Sequence, residues 1–338
     1  MTTPSAEPAL RVLRRDDVLA AAADVDPVAS VQATLLAHAR GATTLPDEAY
    51  LPWHTPSSGA FARSLALPGA VWSDRPAVGL KVINSSLDNP GRGLPRAQGW
   101  TFLFDPDTAR PVAMLEAAWI SATRTAAYTV LSARLLAAPG LDRIAVLGCG
   151  ALAESHLDLL GAEYPDASVV VHDLDPARAR ALAARRRADV ADDPRTAVEG
   201  AGLVVCTTTT TTGYLALDWL APGALVAHVS LDDVLPEVVA GADLVVVDDW
   251  DLVAADDRRL LGRMLREGTL AAPGESAPGA RTVDASLADI VAGTHPGRAA
   301  DTDVVLSNPF GMGVLDVALA ADVHDAALAR DLGTVLPP

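Results

Sequence analysis

A single lysine, Lys81, stands among 26 basic residues that are otherwise arginine. It sits in the apolar stretch Val78-Gly79-Leu80-Lys81-Val82-Ile83. An ammonium is compact, titrates when desolvated and donates from a point to a carboxylate or at an amine-bearing carbon, which a guanidinium fork does not do. The alternative is a surface lysine with no role. Between Arg63 and Arg124 the chain carries seven cations (Arg63, Arg75, Lys81, Arg92, Arg96, Arg110, Arg124) and five acids (Asp74, Asp88, Asp105, Asp107, Glu116), within a protein of net charge −17. Local positive charge in an acidic chain suits a carboxylate ligand, with arginine forks making two-point contacts. Further on, Asp232 and Asp233 follow the apolar run Leu225-Val226-Ala227-His228-Val229. A carboxylate at a strand's C-terminal end can serve as acid or base toward a ligand there, or can cap the next helix.

Residues 144–173 supply a second kind of site. The run Ile144-Ala145-Val146-Leu147 reads as a strand, Gly148-Cys149-Gly150-Ala151-Leu152-Ala153 as a turn into a helix, and Ser168-Val169-Val170-Val171-His172 as a second strand ending in Asp173. Gly148 permits the tight turn, Gly150 lets backbone N–H groups approach a pyrophosphate, and Ala153 lets the helix pack close. Asp173, 20 residues beyond Ala153, is placed to hold a ribose 2′-OH and to repel a 2′-phosphate. Strand, turn, helix, strand and acid in this order predict dinucleotide binding, with NAD preferred over its phosphorylated form. Asp175 adds a second acid before the first arginine, Arg178. Ala151, Leu152, Thr207, Thr208 and Ser230, at the ends of predicted strands or the start of a helix, are the other cofactor contacts expected from this region, together with Thr125.

The elements that must position these residues alternate in kind. Residues 10–40 have helical spacing, broken at Pro27. From 50 to 115 short apolar runs are divided by Gly and Pro; Trp100–Phe104 and Pro111–Leu115, separated by Asp105-Pro106-Asp107-Thr108, read as a hairpin of an antiparallel sheet. A helix from about Ser121 to Ala138 leads into a βα rhythm with strands at 144–147, 168–172, 203–206, 224–229, 243–247 and 304–306. Residues 271–282 read as a loop and Gly313–Gly333 as a closing helix. The expectation is an α/β protein in which a Rossmann domain, residues 126–311, is inserted into an α+β substrate-binding domain with an antiparallel sheet, residues 1–125 and 312–338, to which the resemblance described below adds a role in dimerisation. The threonine run Thr207–Thr212 falls at a strand's C-terminal edge, where open α/β sheets bind ligands.

Composition narrows the partners. An acidic chain is repelled by nucleic acid and anionic membrane surfaces. Half the residues are hydrophobic, enough for sizeable cores. The opening Met1-Thr2-Thr3-Pro4-Ser5 lacks a basic, then apolar, leader, and no apolar run of membrane-spanning length occurs, so a cytoplasmic protein is expected. Cys149 and Cys206 are read as small buried thiols. No His or Cys spacing supports a metal site, and Asp248-Asp249-Trp250-Asp251, which could suggest a cation site, reads instead as a solvated strand end.

Three segments carry a resemblance: Thr123-Arg124-Thr125-Ala126-Ala127, the Gly148–Ala153 turn, and Ser307-Asn308-Pro309-Phe310-Gly311-Met312-Gly313-Val314-Leu315-Asp316. Together they resemble the ornithine cyclodeaminase/μ-crystallin family over residues from about 10 onward. Within it, Arg63–Pro68, Gly79–Ile83, Arg92–Ala97, Leu115-Glu116 with Ile120–Ala122, Val229–Leu231 with Asp233, and Val246–Asp249 look like the N-(2-amino-2-carboxyethyl)-L-glutamate dehydrogenase branch. The resemblance implies that Arg63, Lys81 and Arg124, with Arg96, grip an amino-acid substrate, that Lys81 and Asp233 are catalytic, and that the protein is a homodimer. It implies NAD-dependent oxidation of an N-linked amino-acid conjugate to 2-oxoglutarate and L-2,3-diaminopropionate. An ornithine or lysine cyclodeaminase, a ketimine reductase and a nucleotide-dependent binding protein of μ-crystallin type are the alternatives. Asp232 and Leu252 depart from the branch, where a basic residue and a histidine are expected, and Thr207–Thr212 replaces the family's Ala-Thr-rich turn.

Overall fold

Pleated alternation in residues 61–116 builds a meander of long strands. Phe61–Val71, Ala77–Ser86, Ala97–Phe104 and Pro111–Glu116 pair antiparallel in chain order, joined in the last case through the turn at Asp105, whose carboxylate accepts from Asp107 and Thr108 N–H. In the computed structural model, which describes residues 9–275 and 277–337, the chain forms two units. One ends at Arg124 and resumes at Met312; the other is Thr125–Gly311. The reading of the opening Met1–Ser5 lies outside the described residues, as does Ser276 within the 271–282 loop.

The first unit is an eight-stranded mixed sheet. Leu10–Leu13 adds to Pro111–Glu116 in parallel, and Thr334–Leu336 pairs with it at the outer edge. Residues 10–13 are therefore a strand and not the start of a helix. Four residues carry too little periodicity to tell the two apart, and partners about 100 and 320 positions away decide it. Helices Arg15–Ala22 and Pro27–Ala39 follow, the second begun by Asp26, which accepts from Val28 and Ala29 N–H. The helix Gly313–Ala329 returns onto the sheet. A Cβ on Gly69 would lie 2.8 Å from Val314 Cγ1, and one on Gly79 only 2.5 Å from Phe102 O, so both strands are bare where the helix and the neighbouring strand come closest. Leu13, Val18, Leu103, Leu115, Ile120, Val317, Leu319 and Val323 make the core between sheet and helices, each large side chain contributing about 1.5–3 kcal/mol by burial.

The helix Ala117–Leu136 begins four residues before the expected Ser121. Glu116 supplies the cap, its carboxylate accepting from Ala118 and Trp119 N–H at 2.9 and 3.2 Å. Arg124 consequently sits two turns into the helix and not at its start.

The second unit is an eight-stranded sheet in the order 189–190, 168–172, 143–147, 203–206, 225–228, 305–307, 244–247, 285–286, parallel at every pairing. Chain direction across the sheet reverses at Arg143–Leu147, which has 168–172 on one side and 203–206 on the other. That reversal opens a crevice at the strands' C-terminal ends, where Gly148 and Thr207 stand. The two-residue strands at 189–190 and 285–286 extend both edges, and Leu270–Ala271 pairs with Arg281–Thr282 inside the segment expected to be loop. The fold is α/β with one mixed and one parallel sheet. Among the described residues no single helix is long and apolar enough to cross a membrane, and the bent pair Arg15–Ala22 and Pro27–Ala39 buries Val18, Ala21, Val31 and Leu35 within the protein.

Candidate functional site

In the parallel-sheet unit the glycine turn has the geometry its spacing predicts. Gly148 has φ +92°, and a Cβ there would stand 2.9 Å from the backbone of Thr207 and Thr208, so the position admits glycine alone. Gly150 ends the turn in extended conformation and starts the helix Ala151–Glu163 with no side-chain cap. A Cβ on Gly150 would meet nothing within 4 Å. No side chain caps the first N–H groups of this helix, which leaves them available to an anion such as a pyrophosphate. Asp173 is oriented by two backbone donors, Cys149 N–H at 2.7 Å and Asp175 N–H at 2.8 Å. Asp175, read from sequence as a second acid toward the cofactor, is instead the cap of helix Pro176–Arg186, accepting from Ala177 N–H at 2.9 Å. Cys149 and Cys206 are buried and free; burial first, then the Asp173 charge, push the Cys149 thiol up to about 12.

The threonine run is used residue by residue. Thr207 Oγ1 donates toward Leu147 and Gly148 carbonyls at 3.1 and 2.9 Å, fastening the two strand ends at the crevice. Thr208 Oγ1 donates to Asp233 Oδ1 at 2.7 Å, and Tyr214 OH donates to the same oxygen at 2.9 Å. Ser230 Oγ meets the other oxygen, Oδ2, and lies 2.9 Å from Cys206 O. His228 completes the ring, its Nε2 3.1 Å from Asp233 N and 3.6 Å from Oδ2, with Asn308 against its Nδ1. Asp233 and His228 are both fully buried. Burial works against the Asp233 charge, but the bonds from His228, Ser230 and Thr208 outweigh it and hold this carboxyl below the usual carboxylate range.

Neither Asp232 nor Asp233 caps a helix; the next one, Pro236–Gly241, has Leu235 at its cap. Asp232 turns the other way and accepts from both terminal guanidinium nitrogens of Arg263, Nη2 at 2.7 Å and Nη1 at 3.3 Å. Sequence reading missed His228 and Tyr214. Only a ring of contacts spanning 25 residues identifies them, and no motif announces it. Asp248, expected in a solvated strand end, is fully buried. It accepts from Phe310 and Gly311 N–H at 2.8 and 2.7 Å, and Arg259 stacks on Phe310 at 4.4 Å. Burial raises the pKa of its carboxyl against those bonds. Asp248 fastens the Asn308–Gly311 loop and is not free for a cation. Among the described residues no three His, Cys, Asp or Glu side chains gather as a metal ion needs.

In the mixed-sheet unit Lys81 opposes Leu67 across the meander, and Arg63, four residues from Leu67, shares that face. Lys81 is 2% exposed. Its Nζ donates to Asp316 Oδ2 at 2.7 Å and reaches Ser121 Oγ at 3.3 Å. Arg124 Nε lies 3.3 Å from both oxygens of Asp316. Burial is the largest influence on Lys81, lowering it to about 8; Asp316 raises it, Arg124 lowers it, and Glu48 adds a weaker attraction. Burial of the Arg96 guanidinium, and then the nearby charge of Arg63, lower its pKa. Thr125 follows Arg124 on the same helix but belongs to the other unit. Asp316 is the carboxylate that sequence reading quoted in a motif without assigning it work.

The profile of the ornithine cyclodeaminase/mu-crystallin family matches residues 54–331. The chain is 32% identical over 312 residues to N-((2S)-2-amino-2-carboxyethyl)-L-glutamate dehydrogenase of Staphylococcus aureus, covering 89% of this chain and 90% of that one. Among solved structures it is similar to CmnK, with 43% identity, a TM-score of 0.90 and 98% of each chain covered. It shares its fold with an archaeal alanine dehydrogenase dimer solved with bound NAD, at 21% identity, TM-score 0.83, and 97% and 99% coverage.

Proposed function

Since the chain belongs to the ornithine cyclodeaminase/mu-crystallin family, we propose that it is an NAD-dependent enzyme oxidising the C–N bond of an N-linked amino-acid conjugate. The substrate class is that of N-(2-amino-2-carboxyethyl)-L-glutamate, and the products are 2-oxoglutarate, L-2,3-diaminopropionate and NADH. Charge is the observation that carries this choice. Lys81 and Arg124 share Asp316, the one buried acid among the described residues of their unit, while Arg63 and Arg96 add two further cations. Such an excess suits a ligand with several carboxylates and opposes a diamino acid such as ornithine, which brings a second ammonium.

The residues fit the cofactor. Gly148, Gly150, Ala151 and Leu152 would take the pyrophosphate, Asp173 the ribose hydroxyls, and Thr125, Thr207, Thr208 and Ser230 the remainder. NAD⁺ would supply a hydride acceptor for the glutamate-side α-carbon. Arg63, Lys81, Arg96 and Arg124 hold the substrate carboxylates. Asp233, anchored by Thr208, Tyr214 and Ser230, accepts a proton from the substrate nitrogen as the imine forms. It then orients the water that splits the imine. His228 packs against Asp233, its Nε2 accepting from the Asp233 backbone N–H at 3.1 Å and lying 3.6 Å from Oδ2.

The test is an absorbance assay with NAD⁺ and N-(2-amino-2-carboxyethyl)-L-glutamate. NADH and 2-oxoglutarate should appear one for one. No NADH with this substrate, together with release of ammonia from ornithine and no net NADH, would replace the reading by a cyclodeaminase.

A further inference from the structure

Resting on the reading of the mixed-sheet unit as the substrate grip, we propose that Asp316 is a positioning residue that holds Lys81 and Arg124 side by side as paired cations. The two cations come from different elements, a strand and a helix, and repel one another. Left alone, side chains of like charge in a buried place would part or discharge. Asp316, in the first turn of Gly313–Ala329 and fully buried, meets both: Lys81 Nζ at 2.7 Å and Arg124 Nε at 3.3 Å. The close approach of this helix to the strands, marked by Gly69 and Gly313, carries the carboxylate to that point. One buried acid against two buried cations leaves this cluster short of neutral and open to an anionic ligand, in fixed geometry.

The charged and polar groups around Lys81 come from each element packed on it: Asp316 from the closing helix, Arg124 and Ser121 from the long helix, and Glu48 from the segment before Ala49–His54. Its cross-strand neighbours Leu67 and Thr101 carry no charge. Removing the Asp316 charge therefore removes the principal attraction and leaves the Arg124 repulsion and the burial. Removing Arg124 does the reverse.

Because Lys81 is the only lysine, lysine labelled with ¹³C and ¹⁵N gives one side-chain NMR signal, and its titration can be followed without substrate. The wild-type midpoint should lie near 8. In Asp316→Asn it should fall by about one unit or more, and in Arg124→Gln it should rise. In steady-state assays Asp316→Asn should raise the substrate KM about tenfold or more while leaving the KM for NAD⁺ within about threefold, and lowering the pH should recover part of the loss. An unshifted lysine midpoint in Asp316→Asn would overturn the role of Asp316. Should Asp316→Asn not fold, a midpoint in Arg124→Gln that fails to rise does the same. If the wild type turns over no conjugate at all, the functional reading falls, and the lysine titration still decides Asp316.

Discussion

Replacing Asp233 by Asn separates the chemistry of this carboxylate from its place in the fold. The side chain is fully buried and receives Thr208 Oγ1 at 2.7 Å, Tyr214 OH at 2.9 Å and the Ser230 hydroxyl. An amide oxygen can still accept from Thr208 and Tyr214. An amide nitrogen can donate to Ser230 Oγ, which keeps its contact to Cys206 O. Three charge-assisted bonds become neutral ones, a loss of about 1 kcal/mol each, and the lower cost of burying an amide instead of a carboxylate offsets much of it. The fold should therefore lose no more than about 1–2 kcal/mol, a Tm shift of a few degrees. Loss of the base should lower kcat by about 10²–10⁴, equivalent to roughly 3–5 kcal/mol in the barrier. NADH formation under saturating substrate measures the loss in kcat, and thermal unfolding measures the loss in stability. Asp232→Asn, which only loosens the Arg263 pair, should keep kcat within about threefold. A kcat for Asp233→Asn within threefold of wild type, with the fold intact, would place the base elsewhere; the reverse order of the two variants would put Asp232 in that role.

Lys81→Ala should abolish turnover while NADH affinity changes less than about threefold, a loss of roughly 1.5–3 kcal/mol in substrate binding or more; retained kcat/KM would make the lysine a bystander. In the wild type, Lys81 must be protonated to hold a carboxylate, so kcat/KM should fall as pH rises through about 8, and a plateau extending well above that value would refute it. Asp173→Ser should erode the preference for NAD⁺ over NADP⁺ measured by the ratio of kcat/KM values, and equal use of both by the wild type would count against the role of Asp173. His156 is buried between Leu152 O and Thr129 Oγ1, at 2.8 and 3.0 Å, and burial lowers it from 6.5 to about 4. Its folded-state pKa is depressed, so its contribution is complete above 6.5 and is lost as pH falls toward 4, up to about 3 kcal/mol; a denaturation midpoint that is flat across this window would exclude it. A homodimer is expected through the mixed-sheet unit, where Leu51 is 63% and Trp53 40% exposed on an edge strand, and light scattering giving a monomer at micromolar concentration would contradict it.

What sequence alone determined here is local. The turn Gly148–Ala153, the strands on either side of it and Asp173 lie within about 30 consecutive residues, and each demand, a positive φ, a close backbone approach, an acid at a strand end, falls on a neighbour in the chain. The oddity of one lysine among arginines was visible by the same route, because composition needs no coordinates. Tertiary structure decided the rest. Asp316 reaches Lys81 across 235 positions, and Asp248 binds a loop 62 residues on. Of two adjacent acids, the path of the chain after residue 228 sends Asp233 into a ring of hydroxyls and Asp232 out to Arg263. Residues 10–13 are a strand because sheet edges far along the chain accept them. Hydrogen bonds and ion pairs act over a few ångströms whatever the separation in sequence, so periodicity and spacing identify the elements but not which buried charges they bring face to face.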